Sequence, residues 1–177
     1  MMPLSRLYAD HVTAKPQKPK LKLDFYQVLI LTQGQGEYMV DFQDYPFQAG
    51  TVFTLGIDQV QQLSSTLLGE GWLLAFTESF ITPYFKSQQA FRQLALFNDA
   101  LVRPCFQLTH QQLADVKNLI GQLQTEYSNP VRDRLQADLL KSGLFSLLLT
   151  LERYERLGEP QLVIDCIWHP FYGLKDW

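Results

Sequence analysis

The chain has 177 residues, 46% of them apolar and 19% charged, with a formal net charge of -3. This balance fits one globular domain, or a domain with a helical appendage, that buries a core, and it excludes a largely disordered chain. It also argues against a surface whose main task is to grip phosphate backbones, so any DNA contact by this chain is not expected and has to come from elsewhere.

Residues 1–22 read as an N-terminal arm. The stretch "HVTAKPQKPKLK" carries four lysines and two prolines and little that packs, which suits an extended, solvated leader into the first strand. A second possibility is an arm that folds over a pocket. Neither a signal-peptide core nor an apolar run of membrane-spanning length is present, so a cytoplasmic protein without membrane contact is expected.

Within a β-domain expected over 23–104, the texture from Asp24 to Glu78 is of short runs rich in Val, Ile, Leu, Tyr, Phe and Thr: "FYQVLILT", "GEYMVDFQ", "TVFTLG", "VQQLSS" and "GWLLAFTE". Turn residues separate them at regular spacing, and no helix of ordinary length intervenes. That pattern predicts an antiparallel sandwich or barrel. Within it, Gly34-Gln35-Gly36 suggests a dinucleotide fingerprint, but the third glycine position is Met39 and the residues after Gly36 alternate as a strand does. The glycines are expected instead at a hairpin reversal, where positive φ is needed.

The segment "ESFITPYFKSQQAFRQLALFN" predicts one or two short helices, and residues 105–158 a helical region. Thr109 with Gln112 makes a capping box, after which Leu113, Val116, Leu119, Ile120, Leu123 and Tyr127 share one face. A second helix is expected to start with Asn129 as N-cap and Pro130 at its first position, and to end at Gly158 with Pro160 beyond. Its stripe, from Leu135 through Leu139, Leu144 and Leu148 to Leu157, widens until the middle turns are apolar nearly all round. Such a helix needs a second surface, most simply a copy of the same chain, with Leu113, Val116, Ile120, Leu123, Leu140, Leu144, Leu147, Leu148 and Leu151 at the dimer interface. The alternative is that the helix only closes the β-domain. Residues 159–177 form an atypical tail, crowding Trp168, Phe171, Tyr172 and Trp177 together.

The ordered series "YQVLILTQGQGEYMVDF", "YPFQAGTVFTL", "DQVQ" and "GWLLAF", with the helix pair after it, resembles the N-terminal effector-binding and dimerisation domain of AraC-type bacterial transcription regulators over about residues 20–158. The resemblance implies a cupin-like jelly-roll β-barrel followed by a pair of antiparallel dimerisation helices, a fold of the α+β class that is mainly β. It further implies a homodimer and a sugar-like or aromatic small-molecule effector inside the barrel, with the signal passing to a helix-turn-helix domain that has no counterpart in these residues. A frameshift near Gly158 or Glu159 is one explanation for that, and a naturally short protein is another. Two positions depart from the family: Gln61 stands where a histidine is usual, and Gln33 where the arabinose-responsive member has an arginine.

A catalytic cupin metal needs at least three converging ligands. His11, His110 and His169 lie outside the strands, leaving only Glu37, Asp41 and Gln61, so no metal and no other cofactor is expected. Cys105 and Cys166 form no recognisable pair or catalytic set. The expectation is a non-enzymatic sensor whose pocket is lined by Gln33, Gln61, Leu63, Trp72 and Leu74, where amides suit a neutral polyhydroxy or amide ligand and Trp72 could stack on a ring. Trp72 and Leu74 as plain core residues are the competing possibility. As a whole, the alternative is a small stand-alone cupin, either a metal-independent isomerase or lyase or a binding module.

Overall fold

The computed structural model describes residues 2–3, 21–22, 24–63, 68–84, 91, 94–97, 103–131 and 133–158. Of the arm only Met2–Pro3 (β1) and Leu21–Lys22 (β2) fall among them, as short strands paired with later ones. Expectations for the remainder of the arm and for the tail 159–177 lie outside the described residues.

The β-region is built around one long strand, β3 (Tyr26–Val40), with β4 (Gln43–Gln48), β5 (Thr51–Leu55), β6 (Val60–Leu63) and β7 (Leu68–Phe76) after it. β8 (Cys105–Gln107) adds to β5, so the sheet extends past the boundary drawn at 104. All described pairings are antiparallel, in one sheet curled into a half-barrel with helices at its C-terminal end. β3 holds this sheet together: Gln27 pairs with Leu55 on one edge and Ala75 on the other, and Tyr38 pairs with Tyr45 and Leu63.

Gly34 and Gly36 do not reverse the chain. They lie inside β3, next to a register shift between Leu31 and Gln33. Gly34 has φ of 95° and so supplies the left-handed residue of an irregularity that bends a long strand. At Gly36 a Cβ would come within 2.9 Å of the Phe47 ring, so the missing side chain makes room for that aromatic. The reversal is at Asp41-Phe42, where both residues have positive φ, 48° and 68°, as a two-residue hairpin loop requires. Asp41 offsets the strain with its carboxylate, which accepts from the Val60 amide at 2.8 Å and from Gln59 Nε2 at 2.9 Å.

Period-two alternation sends the strands' side chains to two cores. Tyr26, Val28, Ile30, Val52, Leu74 and Phe76 face the helices, whereas Leu29, Leu31, Tyr38, Val40, Phe47, Phe53 and Leu55 pack together on the other face.

The helical part begins with α1 (Glu78–Ile81) and two short 3-10 turns, Thr82–Tyr84 and Ala95–Phe97. α2 (His110–Tyr127) starts on the expected capping box: Thr109 accepts from the Gln112 amide while Gln112 accepts from the Thr109 amide. α3 (Gln136–Gly158) starts later than expected. Asn129 folds back on the Val131 amide at 3.0 Å, and Asp133 serves as the cap, accepting from the Leu135 and Gln136 amides at 2.9 Å each. Gln136 then closes the connection by donating to the Glu126 carbonyl at 2.9 Å. The two helices run antiparallel, with Leu123 beside Gly143 and Asp115 beside Tyr154.

Their shared face packs on the sheet. Leu113, Val116, Ile120 and Leu123 of α2 and Leu144, Leu147, Leu148 and Leu151 of α3 are all buried in the same cluster as the helix-facing strand residues. The alternative in which the helices close the β-domain therefore accounts for these eight residues within a single chain. Each such side chain contributes about 1.5–3 kcal/mol on full burial. Glu152, also buried, ties α3 to the 94–97 turn by accepting from the Leu96 amide at 3.1 Å, with Arg156 holding its other oxygen.

Candidate functional site

Of the five residues expected to line a pocket, the four whose side chains are described, Gln33, Gln61, Trp72 and Leu74, do not converge. Register pairs Ile30 with Trp72 and Val28 with Leu74, which puts Trp72 and Leu74 on the helix-facing side of the sheet. Gln61 is buried on the side of the second core, its amide oxygen accepting from the Tyr38 hydroxyl. Gln33 is exposed beside the irregularity in β3. Leu63 pairs with Tyr38 through its backbone, and its side chain lies outside the described residues. The second core fills with the rings of Tyr38, Phe47 and Phe53, stacked edge to face at 4.9 and 6.5 Å between centroids.

A cavity of about 380 Å³ opens instead at the seam between sheet and helices. The end of β7 supplies one wall through Leu74, Ala75, Phe76 and Thr77, and α1 adds Phe80. The opposite wall comes from the last turns of α2, with Leu123 and Tyr127, and the first turns of α3, with Leu140 and Leu144. The site lies where the end of β7 and α1 meet the turns of α2 and α3 nearest their connection.

Among the described residues, the walls carry no charged side chain. Thr77 Oγ1 shares a hydrogen bond with Ser79 Oγ at 3.1 Å, and the other polar side chain is the exposed Tyr127. Lys141 stands just outside, its Nζ 5.7 Å from the Phe80 ring centroid and 3.8 Å from Asp138. Among the described residues no group of three His, Cys, Asp or Glu side chains gathers into a metal-binding cluster.

A second surface lies on the outside of the helix pair. Leu135, Leu139, Leu149 and Leu157 of α3 and its lead-in are exposed, together with Tyr127 and Val131. Beside them a groove of about 250 Å³ runs between α2 and α3, lined in part by Leu119, Leu139, Gly143 and Ser146. Leu140, the ninth residue assigned to a dimer interface, is half-buried between the two surfaces. Leu123 belongs to both, walling the seam cavity on one side and the outer groove on the other.

Of the pocket residues read from the sequence, Leu74 is the one that lines the seam cavity among the described side chains, and Phe76, Phe80 and Tyr127 were missed. The amphipathic spacing placed Leu123 and Tyr127 on one helix face, but which strand end that face meets is a tertiary fact.

The architecture is thus a mainly-β antiparallel half-barrel capped by an antiparallel helix pair, with an apolar cavity at the seam. No protein-family model matches the chain, and no curated protein matches it. Among solved structures the chain is similar to ToxT from Vibrio cholerae, an AraC-family regulator, at 13% identity and a TM-score of 0.42, covering 76% of this chain and 50% of that one. The chain spans half the length of that structure. No helix among the described residues is long and apolar enough to cross a membrane.

Proposed function

We propose that this chain is the effector-sensing and dimerisation domain of an AraC-type transcription regulator, with a cupin-like β-domain that binds a small molecule and a helix pair that joins two copies. The observation that carries the reading is the exposed stripe made by Leu135, just ahead of α3, and by Leu139, Leu149 and Leu157 along it, opposite in helical phase to the buried Leu144, Leu147, Leu148 and Leu151. A half-barrel followed by helices has the order of elements expected from the motif series, and a helix pair that buries one apolar face and exposes another is suited to symmetric association. The partner surface in this reading is the exposed stripe, with the inner leucines holding the domain together.

The reading includes no catalytic step, no cofactor, no direct DNA contact by these residues and no membrane contact, and it places the protein in the cytoplasm. A net charge of -3 supports the absence of a phosphate-gripping surface.

The test is fusion of the chain to a DNA-binding module that represses a reporter only as a dimer. Repression that is lost in the Leu139→Glu/Leu149→Glu double variant is the expected result. A wild-type fusion that does not repress, or a purified chain that sediments as a monomer at micromolar concentration, overturns the proposal.

A further inference from the structure

We propose that the seam cavity, and not the interior of the half-barrel, is the ligand site of this domain, and that its ligand is an uncharged molecule of one or two fused rings. This deepens the sensor reading above and rests on it. Three observations carry it.

The first is volume. About 380 Å³ falls near the lower end of the range for small-molecule sites, roughly 300–1,000 Å³. An α-helix with its side chains is about 10 Å across and does not enter such a space.

The second is chemistry. The described walls are mostly Leu and Phe side chains with no charged group among them, so a carboxylate or ammonium seated against them would give up part of its hydration and gain no counter-ion from those walls. Lys141 is already engaged over Phe80 and beside Asp138. Phe76, Phe80 and Tyr127 offer ring faces and edges, which favour an aromatic or alicyclic guest, and the Tyr127 and Thr77 hydroxyls suit one neutral polar substituent at the rim.

The third is location. In the second core the side chains of Tyr38, Phe47 and Phe53 already interlock, and Gln61 is taken by Tyr38. The seam cavity, in contrast, is bounded by elements from both halves of the molecule. A guest there touches Leu123, which also walls the outer groove, so occupancy is felt on the face that carries the exposed stripe.

The experiment uses the full chain and the neutral fluorophore N-phenyl-1-naphthylamine, displaced by 1-naphthol or by 1-naphthoate. Saturable binding is expected, with 1-naphthol displacing the probe at a concentration at least ten-fold lower than 1-naphthoate. Leu140→Trp, which fills the cavity from a half-buried position, is expected to weaken probe binding ten-fold or more. Cross-peaks in NMR spectra between bound 1-naphthol and the methyl groups of Leu123, Leu140 and Leu144 locate the site in the wild-type protein, whatever the fate of the variant. Absence of saturable binding, cross-peaks to the methyls of the second core, or a carboxylate that competes as well as the alcohol overturns the proposal. The sensor reading fails separately, through a monomeric wild-type chain, so the two failures are told apart.

Discussion

The Tyr154 hydroxyl donates to Asp115 Oδ2 at 3.0 Å, joining the C-terminal part of α3 to the first turns of α2. Burial of the phenol, the hydrogen bond and the nearby carboxylate charge all hold the Tyr154 pKa above its ordinary value of 10.0, with Arg153 opposing them. The neutral phenol is therefore favoured in the folded state. Stability from this group is fully present below pH 10 and is lost as pH rises through the folded-state pKa, because the unfolded chain releases the proton first. Tyr154→Phe is expected to cost about 0.5–1.5 kcal/mol at neutral pH in urea denaturation. Thermal melts from pH 8 to 11 should fall less steeply for the variant than for the wild type at the alkaline end.

Phe42 is a bulky residue at φ 68°, exposed at 68%. A non-glycine residue in the left-handed region costs about 1–2 kcal/mol, and Asp-Gly is a favoured pair for this hairpin loop. Phe42→Gly is expected to raise stability by up to about 1 kcal/mol once the extra chain entropy of glycine is subtracted. Asp41→Ala, which removes the acceptor for Val60 and Gln59, should lower stability by about 1–3 kcal/mol. Chemical denaturation of the two variants checks both signs.

Glu152 links α3 to the backbone of the 94–97 turn through the Leu96 amide. Glu152→Ala leaves that amide without this acceptor in a buried setting and is expected to cost about 1–3 kcal/mol. Hydrogen exchange at the Leu96 amide should speed up more than at the Ile120 amide, which lies in the middle of α2. Equal acceleration at both would mean that the carboxylate supports the whole fold and not this contact.

A Cβ on Gly143 would meet Leu123 Cδ2 at 2.7 Å. Leu123 has the seam cavity on its other side and can yield in that direction. Gly143→Ala gains up to about 1 kcal/mol of helix propensity, which offsets the crowding, so stability is expected to stay within about 1 kcal/mol of wild type. Affinity for 1-naphthol should nevertheless fall, since Leu123 is pressed into the space the ligand needs. Calorimetry and displacement titration on the same sample measure the two effects together.

What the sequence made legible was mostly local. The Thr109–Gln112 box and the spacing of Leu113, Val116, Ile120 and Leu123 set the start and buried face of α2 without reference to anything distant. The start of α3 was harder, because Asn129 and Asp133 are both good caps. The choice falls to Asp133, with the connection long enough for Gln136 to close on the end of α2. The pocket residues were hardest to place. Gln61 and Trp72 belong to opposite faces of the sheet, and the register that separates them depends on strand pairing and on the irregularity after Leu31. The glycine pair drew attention to the right strand, but its physical role is to bend β3 and admit Phe47, which a turn signal does not distinguish.

The four strands β4 to β7, all paired with β3, come after it in the chain, the last of them ending at Phe76. During synthesis, β3 is therefore complete well before the strand that covers Tyr26–Gln35 has been made. Over that interval a long apolar edge, "YQVLILT", stands open to other nascent chains, and such an edge is where sheet proteins aggregate. Pairing with β5 and β7 then closes both sides of that run, Gln27–Ile30 against Val52–Leu55 and Tyr26–Leu31 against Gly71–Phe76, so the hazard ends only when β7 has been made.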